Sequence, residues 1–245
     1  MTHPLAAALL PLVGSEGLLL DEDVQARRTH AIQPQPLRAR ILVRPRTTAE
    51  VSAVLALCHA ARNPVVAQGG LTGLVHGADA DGDDLILSLE RMQAIEEVSP
   101  TQRIAVAQAG VPLQRLQEAA AQAGLIFPLD LGARGSATVG GTIATNAGGN
   151  RVLRWGVMRD SVLGLEAVLA DGTVLSSMNR VLKNNTGMDL KQLFIGTEGT
   201  LGVVTRAVLR LREAPVGRAM ALVALVRFDD VIALLRHMDR GSSGL

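Results

Sequence analysis

The 245-residue chain is 48% hydrophobic, carries a formal net charge of +1 and contains a single cysteine, Cys58. This length accommodates one large domain or two moderate ones, and the near-zero charge argues against nucleic acid or an anionic membrane as a general electrostatic partner. One cysteine excludes an internal disulfide and a thiolate metal cluster, which fits a reducing, cytoplasmic location.

The first predicted elements are an N-terminal helix and a β-α-β unit. Residues 1–14 are apolar without a basic leader, which favours an amphipathic helix over a signal peptide, and no apolar run reaches the roughly 20 residues of a membrane span. Ile41–Val43 and Val65–Gln68 predict strands, and Thr47 followed by Glu50 predicts the start of a helix between them. We expect the two strands to pair in parallel through a right-handed crossover.

The middle of the chain predicts short strands and one amphipathic helix. Residues 84–92 predict a strand, and residues 95–110 predict two strands around a turn at Ser99 and Pro100. Pro112 favours the start of a helix. The apolar positions that follow predict the buried face of this helix: Leu113, Leu116, Ala119, Ala120 and Ala123.

Three further elements complete the main part of the chain. Residues 162–177 predict a hairpin, because Asp171 and Gly172 separate two apolar runs. Residues 188–196 predict a short helix, and residues 202–211 predict a strand. Strands and helices that mix without strict alternation predict an α+β or mixed α/β fold.

The composition changes near Pro215. Residues 220–226 predict a strand, and a helix follows with its N-cap at Asp229 or Asp230. Because a strand and one helix cannot bury a core by themselves, these residues are expected to begin a second domain that is mostly absent.

Glycine-rich segments occupy residues 67–78, 135–150 and 196–204. Glycine lets backbone N–H groups approach an anion closely, and consecutive exposed N–H groups suit a pyrophosphate. The first segment lacks the Gly-Lys-Ser/Thr of a Walker loop and the spacing of a dinucleotide fingerprint, so a Rossmann fold is disfavoured. Taken alone, that segment is equally well interpreted as a flexible loop. Together, the three segments predict a nucleotide with a flat ring system, contacted from several sides.

Four stretches in this order resemble a known family. QGGLTG, FPLDLGARGSATVGGTIATNAGG, VLGLEAVLADGTVL and NNTGMDLKQLFIGTEGTLGVVT are similar to the FAD-binding domain of the vanillyl-alcohol oxidase (PCMH-type) flavoprotein superfamily, and within it to the D-2-hydroxyglutarate dehydrogenase and D-lactate dehydrogenase group. The resemblance implies two α+β subdomains with FAD between them. It divides the chain into an N-terminal helical segment (residues 1–40), the FAD-binding domain (41–214) and the start of a truncated C-terminal cap (215–245).

The resemblance also implies which residues bind the cofactor. The pyrophosphate loop would comprise Gln68, Gly69, Gly70, Leu71, Thr72, Gly73, Leu74 and Val75. The flavin and its phosphates would be lined by Pro128, Leu131, Gly132, Ser136, Gly140, Gly141, Asn146 and Gly149, with backbone contributed by Glu198, Gly199, Val203 and Val204. Some family members attach FAD covalently through a histidine at the position of Leu71, so non-covalent FAD is expected here.

The chemistry implied by the resemblance is hydride transfer from the Cα of a D-2-hydroxy acid to flavin N5, with a base removing the hydroxyl proton. The resemblance places that base, an arginine for the substrate carboxylate and a divalent-metal site in the C-terminal cap, beyond residue 245. The five histidines show no metal-ligand spacing, so we assign no catalytic residue and no metal ligand within the chain.

The expected partners are a small 2-hydroxy acid and an electron acceptor of unspecified identity, with a homo-oligomer as a further option. Two alternatives stay open. One is an FAD-binding module or subunit without turnover of its own, and the other is a glycolate oxidase subunit that uses the same domain.

Overall fold

The computed structural model describes residues 4–27, 37–217 and 219–241, which form an α+β fold. The helices are α1 (Pro4–Val13), α2 (Glu22–Gln25), α3 (Thr48–Ala61), α4 (Leu113–Gln122), α5 (Val139–Ala144), α6 (Val152–Trp155) and α7 (Phe228–Gly241). The strands are β1 (Leu18–Leu20), β2 (Ile41–Val43), β3 (Val65–Gln68), β4 (Leu85–Ser88), β5 (Ile95–Ser99), β6 (Ile104–Gln108), β7 (Leu125–Ile126), β8 (Val162–Val168), β9 (Val174–Ser177), β10 (Val203–Arg210) and β11 (Arg212–Glu213). Among the described helices, none is both long and apolar enough to cross a bilayer.

The first lobe, within residues 4–92, is a four-stranded sheet in the order β1-β2-β4-β3, covered by α1 and α3. As predicted, Thr47 caps α3, since its side chain accepts a hydrogen bond from the Glu50 N–H at 3.1 Å. The Glu50 carboxylate in turn accepts from the Arg46 N–H at 2.7 Å. One face of α3 is buried against α1 and the sheet through Val51, Val54, Leu55 and Cys58.

The predicted direct pairing of β2 with β3 is wrong. The two strands are parallel, but β4 lies between them and pairs in parallel with both. Leu85, Ile86 and Leu87 of β4 are all fully buried, whereas most of β3 is only half-buried. A strand that is apolar on both faces gains most from a central position, so β4 takes the middle of the sheet.

The second lobe, residues 93–217, is a five-stranded antiparallel sheet in the order β5-β6-β10-β8-β9. The predicted β5–β6 and β8–β9 pairs are both confirmed, and β10 joins the two hairpins at the centre. Helices α4 and α5 cover one face of this sheet. In α4, Leu113, Leu116 and Ala120 are buried as predicted, but Ala119 and Ala123 are only half-buried, so the buried face is narrower than expected.

A buried carboxylate on β8 joins the two lobes. Glu166 is 7% exposed and accepts hydrogen bonds from Thr48 at the start of α3 (2.7 Å) and from Thr205 on β10 (3.1 Å). One turn further along α3, the Ser52 hydroxyl donates to the carbonyl oxygen of Gly172 at 2.5 Å. Helix α3 therefore belongs to the first lobe but is hydrogen-bonded to the β8–β9 hairpin of the second.

The strand predicted over residues 220–226 is wrong. The described residues between Glu213 and α7 form no strand, and the side chains of Met220 and Leu222 are fully exposed. A strand needs a neighbour for its backbone hydrogen bonds, and none of the described strands pairs here. The helix begins at Phe228, so the predicted N-caps Asp229 and Asp230 lie in its first turn instead.

Replacing Glu166 with alanine is expected to lower the free energy of unfolding by about 2–3 kcal/mol, because the Thr48 and Thr205 hydroxyls lose their buried acceptor. The matched control is Glu97→Ala on the same sheet, which removes an exposed ion pair with Arg180 and is expected to cost under about 1 kcal/mol. Urea unfolding of both variants measures the difference. Equal losses would show that Glu166 does not join the lobes.

Candidate functional site

A cavity of about 490 Å³ opens between the two lobes. This volume is typical of sites for small molecules and cofactors. The first lobe lines it with residues 67–79 and Leu89. The second lobe contributes Leu131, Ala137, Thr138, Gly140, Gly141, Thr142, Ala144, Thr145, Ala147, Phe194, Glu198, Gly199, Gly202, Val203 and Val204.

The loop after β3 lines this cavity and contains a run of unpaired backbone amides. In the described part of the chain, the N–H groups of residues 69–75 donate to no protein acceptor. The loop is closed at its base by the buried side chain of Gln68, which donates to the carbonyl oxygen of Ala78 at 2.8 Å. Consecutive unpaired amides on a loop are a known arrangement for binding an anion.

A short helix, α5, forms inside the second glycine-rich segment, where no helix was predicted. Thr138 caps it by accepting from the Gly141 N–H at 3.2 Å. The Val139 and Gly140 amides donate to the turn between β6 and α4, at 2.9 and 2.7 Å. The sequence did not predict this helix because it contains two glycines, and glycine disfavours helical structure. The spacing of Val139 and Ile143, both fully buried, could have revealed it.

The two glycine-rich segments touch each other directly. A Cβ built on Gly70 would lie 1.9 Å from the carbonyl oxygen of Ser136, and one built on Gly69 would lie 2.6 Å from Thr138 Oγ1. Gly140 is equally close to Ala109, at 2.6 Å between Cβ positions. Glycine at these positions is therefore required by contacts within the protein. Gly73, by contrast, has no atom within 4 Å of a built Cβ.

Strained backbone concentrates at the cavity. Seven non-glycine residues of the described chain have positive φ. Four of these lie at or beside the cavity: Leu71 (φ 53°), His76 (φ 61°), Asn146 (φ 46°) and Glu198 (φ 53°). Side chains in this region of φ/ψ space cost about 1–3 kcal/mol each, and they cluster at ligand sites in known proteins. This distribution supports the cavity as the functional site.

The third segment connects the end of α5 to β10. The Gly196 and Glu198 amides donate to the carbonyl oxygens of Ile143 (3.1 Å) and Ala144 (2.8 Å). The carboxylate of Glu198 lies against Gly77 of the first lobe, where a built Cβ would be 2.6 Å from Oε2. The segment thus closes the cavity opposite the loop after β3.

The ionisable side chains that line the cavity are His76, Asp79 and Glu198. His76 Nδ1 lies 2.9 Å from Asp79 Oδ2 at the rim. None of the lining residues is lysine or arginine, so any anion here would be held by backbone amides.

The structure places most of the predicted site residues in the cavity wall: Gln68, Gly69, Gly70, Leu71, Thr72, Gly73, Leu74, Val75, Leu131, Gly140, Gly141, Glu198, Gly199, Val203 and Val204. The wall also contains residues that were not assigned individually to the cofactor. Most lie within the three glycine-rich segments: Ala67, His76, Gly77, Ala78, Ala137, Thr138, Thr142, Ala144, Thr145, Ala147 and Gly202. Sequence reasoning missed Asp79, Leu89 and Phe194, which lie outside those segments.

The remaining predicted residues, Pro128, Gly132, Ser136, Asn146 and Gly149, lie outside the cavity wall. Asn146 Oδ1 accepts from the Arg159 N–H at 2.9 Å, so its side chain supports the next turn of the chain. Gly149 has φ of 119° and lies against the carbonyl oxygen of Asp130, where a built Cβ would be 2.2 Å away. These contacts explain both residue types without a ligand.

The described residues contain no group of three or more His, Cys, Asp or Glu side chains arranged to hold a metal ion. His59 and His237 are exposed, and His76 lies beside Asp79. His3 and His30 fall outside the described residues. Cys58 is buried on the inner face of α3, and desolvation raises the pKa of its thiol to about 11, which makes it an unreactive core residue.

Comparisons with known proteins show which family the chain resembles and which proteins are similar to it. A family described as "FAD binding domain" matches residues 39–177, more than half of the chain. The mitochondrial D-2-hydroxyglutarate dehydrogenase of Bos taurus is 46% identical over 198 residues, covering 81% of this chain and 36% of its own length. The D-2-hydroxyglutarate dehydrogenase of Xanthomonas citri pv. viticola is 43% identical over 196 residues, covering 80% and 41%. The chain therefore spans well under half the length of these relatives.

The fold is shared with a more distant enzyme. A solved structure of alkyldihydroxyacetonephosphate synthase superposes with a TM-score of 0.77 at 21% identity, covering 89% of this chain and 42% of that one. At this identity the match establishes the fold. It agrees with the PCMH-type α+β architecture expected from the sequence.

A Gly70→Ala substitution is expected to lower the free energy of unfolding by about 3 kcal/mol, because its Cβ would overlap the Ser136 carbonyl and separate the two lobes. Gly73→Ala on the same loop is the control, and it should change stability by less than about 0.5 kcal/mol because its surroundings are open. Urea unfolding measures both. The contact would be unimportant if the two variants were equally stable.

Proposed function

The chain belongs to the FAD-binding domain family, and we propose that it is the FAD-binding part of a D-2-hydroxy-acid dehydrogenase of the D-2-hydroxyglutarate or D-lactate type. The observation that carries the proposal is the cavity between the lobes, where residues 69–75 present unpaired amides beside an apolar wall. The names of the similar proteins supply the substrate class.

The cavity fits the two chemically different halves of FAD. The amides of residues 69–75 would hold the pyrophosphate, because they are consecutive and have no acceptor among the described residues. Leu131, Ala147, Val203 and Val204 offer apolar surface for the flat ring system. The close contact of Gly70 with Ser136 fixes the position of the loop relative to the apolar wall of the second lobe.

FAD is held without a covalent bond in this proposal. Leu71 lines the cavity, and its aliphatic side chain has no nucleophilic atom that could bond to the flavin. The imidazole nearest to it in the loop, His76, is at the rim beside Asp79.

When bound, the flavin would supply the redox chemistry by accepting a hydride from the 2-hydroxy acid. The described residues would bind and orient the cofactor and exclude water from its apolar face. The lining residues offer no arginine or lysine for a substrate carboxylate. We therefore place the base, the carboxylate-binding residue and any metal site in a C-terminal part of the protein, and residues 215–241 at the start of that part.

The experiment that tests the function is an FAD titration of the purified chain, followed by anaerobic addition of D-2-hydroxyglutarate or D-lactate. Bound FAD is expected to quench the emission of Trp155, the single tryptophan of the chain. Acid precipitation should release the flavin into the supernatant. Neither hydroxy acid should bleach the bound flavin, because the catalytic groups are assigned elsewhere.

The possible failures of this experiment are distinguishable. Absence of FAD binding would contradict the assignment of the cavity, and flavin retained in the acid precipitate would contradict non-covalent attachment. Bleaching by either hydroxy acid would mean that the residues described here suffice for the reaction.

Residues 216–235 expose a series of large apolar side chains, including Met220, Leu222 and Phe228, which are 99%, 103% and 77% exposed. Exposed apolar surface of this extent favours association. The 245-residue chain is expected to self-associate with rising concentration in light scattering, and Phe228→Ser with Leu235→Ser should reduce this. A wild-type chain that stays monomeric would contradict a domain boundary near Pro215.

A further inference from the structure

Outside the cavity, the half-buried side chain of Arg212 lies against an aromatic ring and pairs with no carboxylate of the described residues. Arg212, on β11, places its guanidinium carbon 5.4 Å from the centre of the Trp155 ring. The guanidinium carbon of Arg154 lies 4.6 Å from the same ring. Trp155 is half-buried between these two cationic side chains, and neither Arg212 nor Trp155 lines the cavity between the lobes.

The guanidinium of Arg212 has no counter-ion in the described part of the chain. Its Nε is buried without a hydrogen-bond partner, and no carboxylate lies within ion-pair distance. The nearby carboxylate of Asp160 accepts from the Val157 N–H at 2.8 Å. Several other partly buried arginines are paired, as Arg206 is with Glu96 at 2.6 Å. Arg212 has no such pair among the described residues, and its Nε is buried as well.

The electrostatic surroundings of Arg212 are positive. Burial and the charge of Arg210 lower the pKa of Arg212 from its usual value, and the opposing effect of Asp160 is smaller. A half-buried guanidinium without an acceptor is costly unless an anion compensates it. The planar fork of arginine presents paired N–H groups that match two oxygens carried on one atom, as in a carboxylate or a phosphate.

We propose that Arg212 and Trp155 form a binding site for a small oxyanion, separate from the cavity between the lobes. The ligand carries two oxygens on one carbon, phosphorus or sulfur atom, which pair with the Arg212 guanidinium. The Trp155 ring forms one wall, and the charge of Arg154 on the same ring adds to the attraction.

The sole tryptophan makes this site directly observable. Trp155 is the only tryptophan, and the chain has no tyrosine, so indole emission reports on this position. The full 245-residue chain is titrated with sulfate, phosphate or glutarate while sodium chloride keeps the ionic strength constant. A saturable change in emission is expected with at least one of the three, and none with chloride alone.

Two variants assign the response to Arg212. Arg212→Gln is expected to weaken binding at least tenfold, which also separates this site from the unpaired amides of residues 69–75. Arg180→Gln is the matched control, because Arg180 pairs with Glu97 on a different surface, and it should bind like the wild type. A response to glutarate alone identifies a carboxylate ligand, and a response to phosphate or sulfate identifies a tetrahedral oxyanion.

Thermal unfolding gives a second readout that does not depend on fluorescence. The responding oxyanion should raise the melting temperature of the wild type and not that of Arg212→Gln. A saturable response that is equal in Arg212→Gln, or no response to any of the three anions, would overturn the proposal. If Arg212→Gln does not fold, Arg212→Lys is tested in the same way, since lysine keeps the charge but loses the paired N–H groups.

Discussion

The close contact of two backbones is the constraint on which the rest of the structure depends. The loop after β3 and the segment that leads into α5 approach so closely at Gly70 and Ser136 that no side chain fits between them. That contact fixes the distance between the lobes and therefore the width of the cavity. Elsewhere the lobes are joined by the hydrogen bonds of Glu166 with Thr48 and Thr205, and by apolar packing of Ala109, Val168 and Val203 against the core of the first lobe. The lobes thus hold a defined gap, although each has its own sheet and its own core.

Sequence reasoning succeeded where a local signal decided the structure. The cap at Thr47, the hairpin at Asp171 and Gly172, and the loop after β3 all follow from short patterns whose physical cause lies within a few residues. Sequence reasoning failed where a residue or strand far along the chain determines the local structure. The position of β4 between β2 and β3 depends on which strand is most apolar, and the missing strand at residues 220–226 depends on the absence of a neighbour among the described strands.

The glycines illustrate the limits of predicting a site from composition. A glycine-rich segment was interpreted as surface for a ligand, yet Gly70, Gly140 and Gly149 are each held by atoms of the protein itself. Only a structure separates these from Gly73, whose surroundings are open. The same segment forms α5, which its glycine content did not predict. The family match was nevertheless recognisable, because it depends on the order of motifs along the chain and not on the role of each glycine.

The central place of β10 has a consequence for how the chain acquires its structure. β10 pairs with β6 on one side and β8 on the other, yet it is the last of the five strands to leave the ribosome. Until β10 has been synthesised, the inner edges of β6 and β8 lack the strand that joins them in the folded chain. Such edges are exposed to incorrect pairing, and long-range pairing of this kind is slow. The second lobe therefore cannot complete its sheet, or the part of the cavity wall that lies on β10, before β10 has been synthesised.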